Sequence, residues 1–187
     1  MSGSRGAVNP IAAWHEEHVY FNRLLGLMKK ELDVFHSGER PNYELMLDII
    51  SYLRDYCDQY HHPREDEAFT RLAEKCPDLE LPLARLKQEH RIIAEAGEAL
   101  RKFLNDAVGD ALVRRADVEI AAATYLVYYG NHIAKEEEDV LTRAAKALTA
   151  RDWTAVKNAA PAGHDPLFGK NPEARYRELR RRIALEA

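Results

Sequence analysis

The chain has 187 residues, 46% of them hydrophobic, and 31 acidic against 27 basic side chains leave a net charge of -4 near neutral pH. That length suits one domain with one sizeable core, and the mild acidity without a basic patch excludes nucleic acid as the expected partner. No stretch approaches eighteen uninterrupted apolar residues, and Cys57 and Cys76 form no C-x-x-C pair, so neither a membrane span, a disulfide scaffold nor a thiolate metal knuckle is expected.

Residues 1–9 carry no apolar run that could act as a signal and read as a disordered tail, which makes the cytoplasm the default location. Pro10 suits the first turn of a helix, and Ile11, Trp14, His18, Phe21, Leu25, Met28, Leu32 and Phe35 then recur at alternating steps of three and four. Gly38 and Pro41 stop this helix. A second helix, from about Asn42, lines up Leu47, Ile50, Arg54, Cys57, His61, Glu65, Ala68 and Leu72, with Pro63 expected to kink it just past His61. Cys76-Pro77 closes it, and a third helix opening at Asp78 or Leu79 carries Leu83, Leu86, His90, Ile93, Gly97, Leu100 and Leu104. A turn at Asn105–Asp110 leads to a fourth helix, from about Arg114 to Leu148, through Val118, Ala122, Tyr125, Tyr129, His132, Glu136, Val140 and Ala144.

No alternating run or Asn-Gly hairpin signal points to strands, so the expected fold is all-α, an up-down-up-down four-helix bundle over residues 10–148. Residues 149–187 read as a C-terminal helical cap of the same domain, a lid on one end of the bundle. It holds a short helix around Asp152–Val156, a loop from Pro161 to Gly169, and a last helix capped by Asn171 with Pro172 at its first position.

Two segments repeat one pattern. His61 stands four residues before Glu65, and His132 four before Glu136, each glutamate preceded by a basic residue, Arg64 or Lys135. On a helix that spacing puts imidazole and carboxylate on one face, a turn apart. His18 and His90 occupy the apolar stripes of the other two helices. A single histidine on an apolar face is ordinarily a hydrogen-bonded core residue, but one on each of four helices, with two carboxylates, is costly to bury unless a metal satisfies them. In an antiparallel bundle the four fall at matching depths. Six donors exceed the needs of one tetrahedral zinc; two carboxylates able to bridge suggest two ions, and the imidazole-carboxylate set suits iron while admitting manganese or zinc. The Glu-x-x-His pairs of ferritin-like sites are absent.

Among the other histidines, His15 and His62 point off the seam, His36 falls at a helix end and His164 in a loop. Tyr125 and Tyr129 share the His132 face and read as packing, with a hydrogen bond toward the centre as the functional alternative; Cys57 reads as core filler.

Glu17-His18 with Asn22-Arg23-Leu24-Leu25, the run His61–Glu67, Glu89-His90 and the run His132–Glu138 together resemble the hemerythrin-like (HHE cation-binding) family across most of residues 11–145. The resemblance implies a four-helix bundle around two non-haem iron ions, oxo- or hydroxo-bridged, with His18, His61, Glu65, His90, His132 and Glu136 as metal ligands. Oxygen-carrying members use a second histidine four residues from the first on helix three, where this chain has Leu86 and Ala94, and an aspartate five residues after the helix-four histidine, where it has Glu137. The four-histidine, two-glutamate set is similar to the repair-of-iron-centres branch. The implied function is binding of O2 or NO at an open iron position, for sensing, binding or scavenging. Iron donation, iron-sulfur cluster repair and a peroxidase-like diiron enzyme are the alternatives, with an electron donor or iron-accepting protein as partner.

Overall fold

The computed structural model describes residues 10–109 and 111–185, so the tail expected at residues 1–9 lies outside the described residues. Among the described residues the regular structure is all helical. Four antiparallel rods form the bundle. The first is α1 (Pro10–His36), closed by Gly38, whose φ of 90° is the left-handed conformation that glycine adopts without penalty. The second rod runs without interruption through α2 (Tyr43–Tyr52), a π-helical stretch (Leu53–His61) and α3 (His62–Lys75), and the Asn42 side chain accepts a hydrogen bond from the Leu45 amide at its start. A single 3-10 turn (Pro77–Leu79) leads into the third rod, α4 (Glu80–Val108). The fourth comprises α5 (Arg115–Lys135), a second π-helical stretch (Glu136–Val140) and α6 (Leu141–Ala147). The first and third rods each pack against both the second and the fourth.

The kink expected at Pro63 is instead a widened turn. The His62 amide donates to the Cys57 carbonyl, five residues back, and Pro63 opens the α-helical segment that follows, where its missing N–H matters least. The fourth rod widens in the same way, the Leu141 amide reaching the Glu136 carbonyl.

Two apolar clusters fill the bundle. One gathers Phe21, Leu24, Met28, Ile49, Ile50, Tyr52, Cys57, Ile93, Leu100, Tyr125 and Tyr129. The other gathers Trp14, Ala68, Phe69, Leu72, Leu83, Leu86, Val140, Leu141 and Ala144. On every rod a short polar step separates them: His18 between Trp14 and Phe21, His61 and Glu65 between Cys57 and Ala68, His90 between Leu86 and Ile93, His132 and Glu136 between Tyr129 and Val140.

The segment after Leu148 lies along the second rod instead of closing one end. Helix α7 (Ala150–Asn158) packs on α3, while α8 (Arg177–Leu185) packs on α2. Thr149 and Asp152 form a reciprocal capping box at the start of α7. Between the two helices, Asp165 accepts from the Leu167 and Phe168 amides at 2.8 Å and from the Tyr52 hydroxyl at 3.0 Å, and Phe168 stacks on Tyr20 with ring centres 4.1 Å apart. The last helix starts later than Asn171, because the Glu173 amide is held at 2.7 Å by the Pro166 carbonyl and helical hydrogen bonding begins only at the 3-10 turn Ala174–Tyr176.

Gly97 is where α4 meets its neighbours most closely: a Cβ there would lie 3.0 Å from Tyr125 Cε2 and 3.4 Å from Ile50 Cδ1. Gly97→Leu is expected to destabilise the protein by about 1–3 kcal/mol through overpacking. The check is the denaturant midpoint by circular dichroism, with the slope of the transition unchanged.

Candidate metal centre

The six residues singled out by spacing converge. His18, His61, Glu65, His90, His132 and Glu136 are each at most 6% exposed and face one another across the bundle axis. His18 Nε2 lies 3.1 Å from His61 Nε2. Glu65 Oε1 lies 2.8 Å from His61 Nε2 and 3.3 Å from His18 Nε2, whereas its Oε2 lies 3.4 Å from His90 Nε2. Glu136 divides its oxygens the same way, Oε2 3.5 Å from His18 Nε2 and Oε1 3.0 Å from His132 Nε2. Each carboxylate therefore offers one oxygen to a His18–His61 pair and the other to a His90–His132 pair, the disposition of a group that bridges two ions.

The outward nitrogens are all engaged. His18 Nδ1 donates to Glu137 (2.7 Å), His61 Nδ1 to Glu17 (2.6 Å), His90 Nδ1 to Asp66 (2.9 Å) and His132 Nδ1 to Glu89 (3.2 Å). A carboxylate on Nδ1 fixes the ring orientation, leaves Nε2 as the donor and raises its basicity. None of these four partners was singled out in this role from the sequence, yet the signal is there: each stands directly beside a ligand candidate, and each serves a histidine of another rod. The basic residues inside the two repeats complete the pattern, Arg64 pairing with Glu17 at 3.0 Å and Lys135 with Glu89.

The inner side is unsatisfied. His90 Nε2, His132 Nε2, Glu65 Oε2 and both Glu136 oxygens are buried, crowd within ion-pair distance, and make no aligned hydrogen bond. Orphaned buried donors and acceptors of this density carry a large desolvation cost, and nitrogen and oxygen lone pairs converging on one volume are what a cation relieves. The residues fit a metal.

Electrostatics within the cluster agrees. Burial alone would lower the His18 and His90 imidazoles, but bonds to Glu137 and Glu65 push His18 up to about 10, and bonds to Asp66, Glu136 and Glu65 push His90 up to about 11. Burial works against ionising Glu65 as well, yet the charge of His61 and hydrogen bonds from His18 and His61 hold its carboxyl well below the usual range. Glu17 sits at about 2, the His61 and Arg64 cations overcoming its burial.

The structure changes the place of one histidine. His62, expected to point off the seam, is 5% exposed, stacks on the His90 ring at 4.2 Å, and has its Nδ1 3.2 Å from Asp58. Burial and the neighbouring His90 charge lower it to about 3, so it is neutral. His15 lies outside the cluster and shares Glu137 with His18; His36 and His164 are exposed. Tyr125, Tyr129 and Cys57 are buried in the larger apolar cluster.

Two outcomes follow. Glu17→Gln and Glu89→Gln should each weaken metal affinity by about 10–100-fold by loosening one ring, measured by chelator competition. Metal loading near neutral pH should release protons from His18 and His90, so affinity should fall as pH drops, by about tenfold per unit for each proton displaced; proton release can be followed with an indicator dye.

Searches of curated proteins and of solved structures found no match. The sequence profile of the hemerythrin HHE cation binding domain matches residues 9–144, the span that contains all six converging side chains and the four carboxylates behind them. The chain belongs to the hemerythrin HHE cation-binding family.

Proposed function

We propose that the chain holds two iron ions between His18, His61, Glu65, His90, His132 and Glu136, and binds a small diatomic ligand, O2 or NO, for sensing, binding or scavenging. The observation that carries this reading is the division of both carboxylates, Glu65 and Glu136, between the two histidine pairs. Four imidazoles and two carboxylates without a thiolate among them suit iron. A bound iron pair supplies exchangeable electrons and a coordination position that a diatomic can take.

The chain's own contribution is positional and dielectric. Nδ1 bonds to Glu137, Glu17, Asp66 and Glu89 lock the four rings before any ion arrives. The apolar clusters above and below exclude water, with Phe21 set edge-on to His61 at 4.9 Å and Phe69 stacked beside His90 at 5.9 Å. A surface groove of about 500 Å³, lined by Asp58, His62, Asp66, Lys87, His90 and Arg91 among others, reaches the cluster from the side and offers a small molecule a way in. Burial of every ligand candidate favours an ion that stays over one that is handed on.

Anaerobic ferrous loading followed by O2 or NO, watched in the near-ultraviolet and visible, tests the reading. Two irons per chain and an absorption change that reverses when the gas is removed are expected. Failure to take up a transition metal overturns it. Irreversible oxidation with consumption of peroxide would point to an enzyme, and loss of iron to a chelator within minutes would point to iron donation.

A further inference from the structure

His62 has every feature that distinguishes the four histidines of the centre. Its Nδ1 faces a carboxylate, Asp58, at 3.2 Å; its Nε2 is buried without a hydrogen-bond partner; its ring lies parallel to that of His90, 13° apart, with centres at 4.2 Å. One donor atom from each of His62, Glu65, His90 and His132 can be chosen so that all lie within 4.8 Å of one another, and the same holds separately for His18, His61 and Glu65. On a regular α-helix, residues 61 and 62 would be about 100° apart and could not both face inward. The π-helical stretch ending at His61 holds more residues per turn, so successive side chains diverge less and both imidazoles enter the bundle.

Packing alone does not call for an imidazole at this position. The residue that follows the ligand candidate on the fourth rod, Ile133, is aliphatic and equally buried. A buried imidazole with a bare Nε2 costs about 1–3 kcal/mol relative to a satisfied one, and a core filler would avoid that cost.

We propose that His62 is a fifth imidazole of the centre, donating through Nε2 to the ion held by His90 and His132. The two ion positions are then unequal, one served by three imidazoles and the other by two, with Glu65 and Glu136 shared. This rests on the two-ion reading given above.

The test compares wild type with His62→Phe, which keeps an aromatic ring against His90 and removes the donor. Ferrous iron is titrated anaerobically against a competing chelator, and the 57Fe-loaded proteins are examined by Mössbauer spectroscopy. Wild type should hold two ions of unequal affinity and give two distinct quadrupole doublets. In His62→Phe one ion should weaken by at least about tenfold and one doublet should change while the other stays. Unchanged affinities and doublets, or equal weakening of both ions, would overturn the assignment. Should the Phe variant fail to fold by circular dichroism, His62→Gln is read by the same criteria, and Asp58→Asn must shift the same doublet. A wild-type protein that holds fewer than two ions defeats the underlying two-ion reading, a result separable from an insensitive variant.

Discussion

Burying charge between two apolar layers is the constraint on which the structure turns. Six ionisable side chains occupy one level of the bundle, and water does not reach them. Taking such groups out of water is affordable only when each polar atom finds a partner. The chain meets half of that demand itself, by placing a carboxylate behind each imidazole. The facing half is left open, so the rods converge on a volume that a cation must complete. The bundle's two-part core, its precise depths and its widened turns all serve that single level.

The arrangement is built from one unit used twice. Glu17-His18 with His61, Arg64 and Glu65-Asp66 has its counterpart in Glu89-His90 with His132, Lys135 and Glu136-Glu137. In both, the acid ahead of one histidine grips the other histidine of the unit and is itself steadied by a basic side chain. In both, the acid after the glutamate reaches across to the opposite unit, Asp66 to His90 and Glu137 to His18. Neither half is complete without the other, which ties cooperative folding of the four rods to correct alignment of the centre. The repetition breaks at one position, His62 against Ile133, and at one flank, where the Asp165–Leu179 segment covers the second rod alone.

The four rods and six converging side chains were legible because they rest on period. A buried helical face repeats every three to four residues, and an imidazole inside that stripe has nowhere else to point. The four supporting carboxylates were not legible in their roles: Glu17 and Glu89 sit next to the histidines they do not bind, and a partner on another rod leaves no spacing to read. His62 escaped for a different reason. Its place depends on a π-helical turn, and projection at the α-helical angle sends it outside. The final helix was misplaced because Asn171-Pro172 carries a good local start signal that the Glu173–Pro166 hydrogen bond overrides.

The widened turn from Leu53 to His61 has a consequence for how this sequence can drift. Surface connections such as that after Val108 tolerate gain or loss of residues, since only their ends are fixed. Excising a single residue from the widened turn would restore ordinary α-helical winding and rotate everything downstream by about 100°. His61 and Glu65 would swing away together, and Ala68, Phe69 and Leu72 would leave the second apolar layer with them. Length in that stretch is therefore as strictly determined as identity is at the ligands themselves.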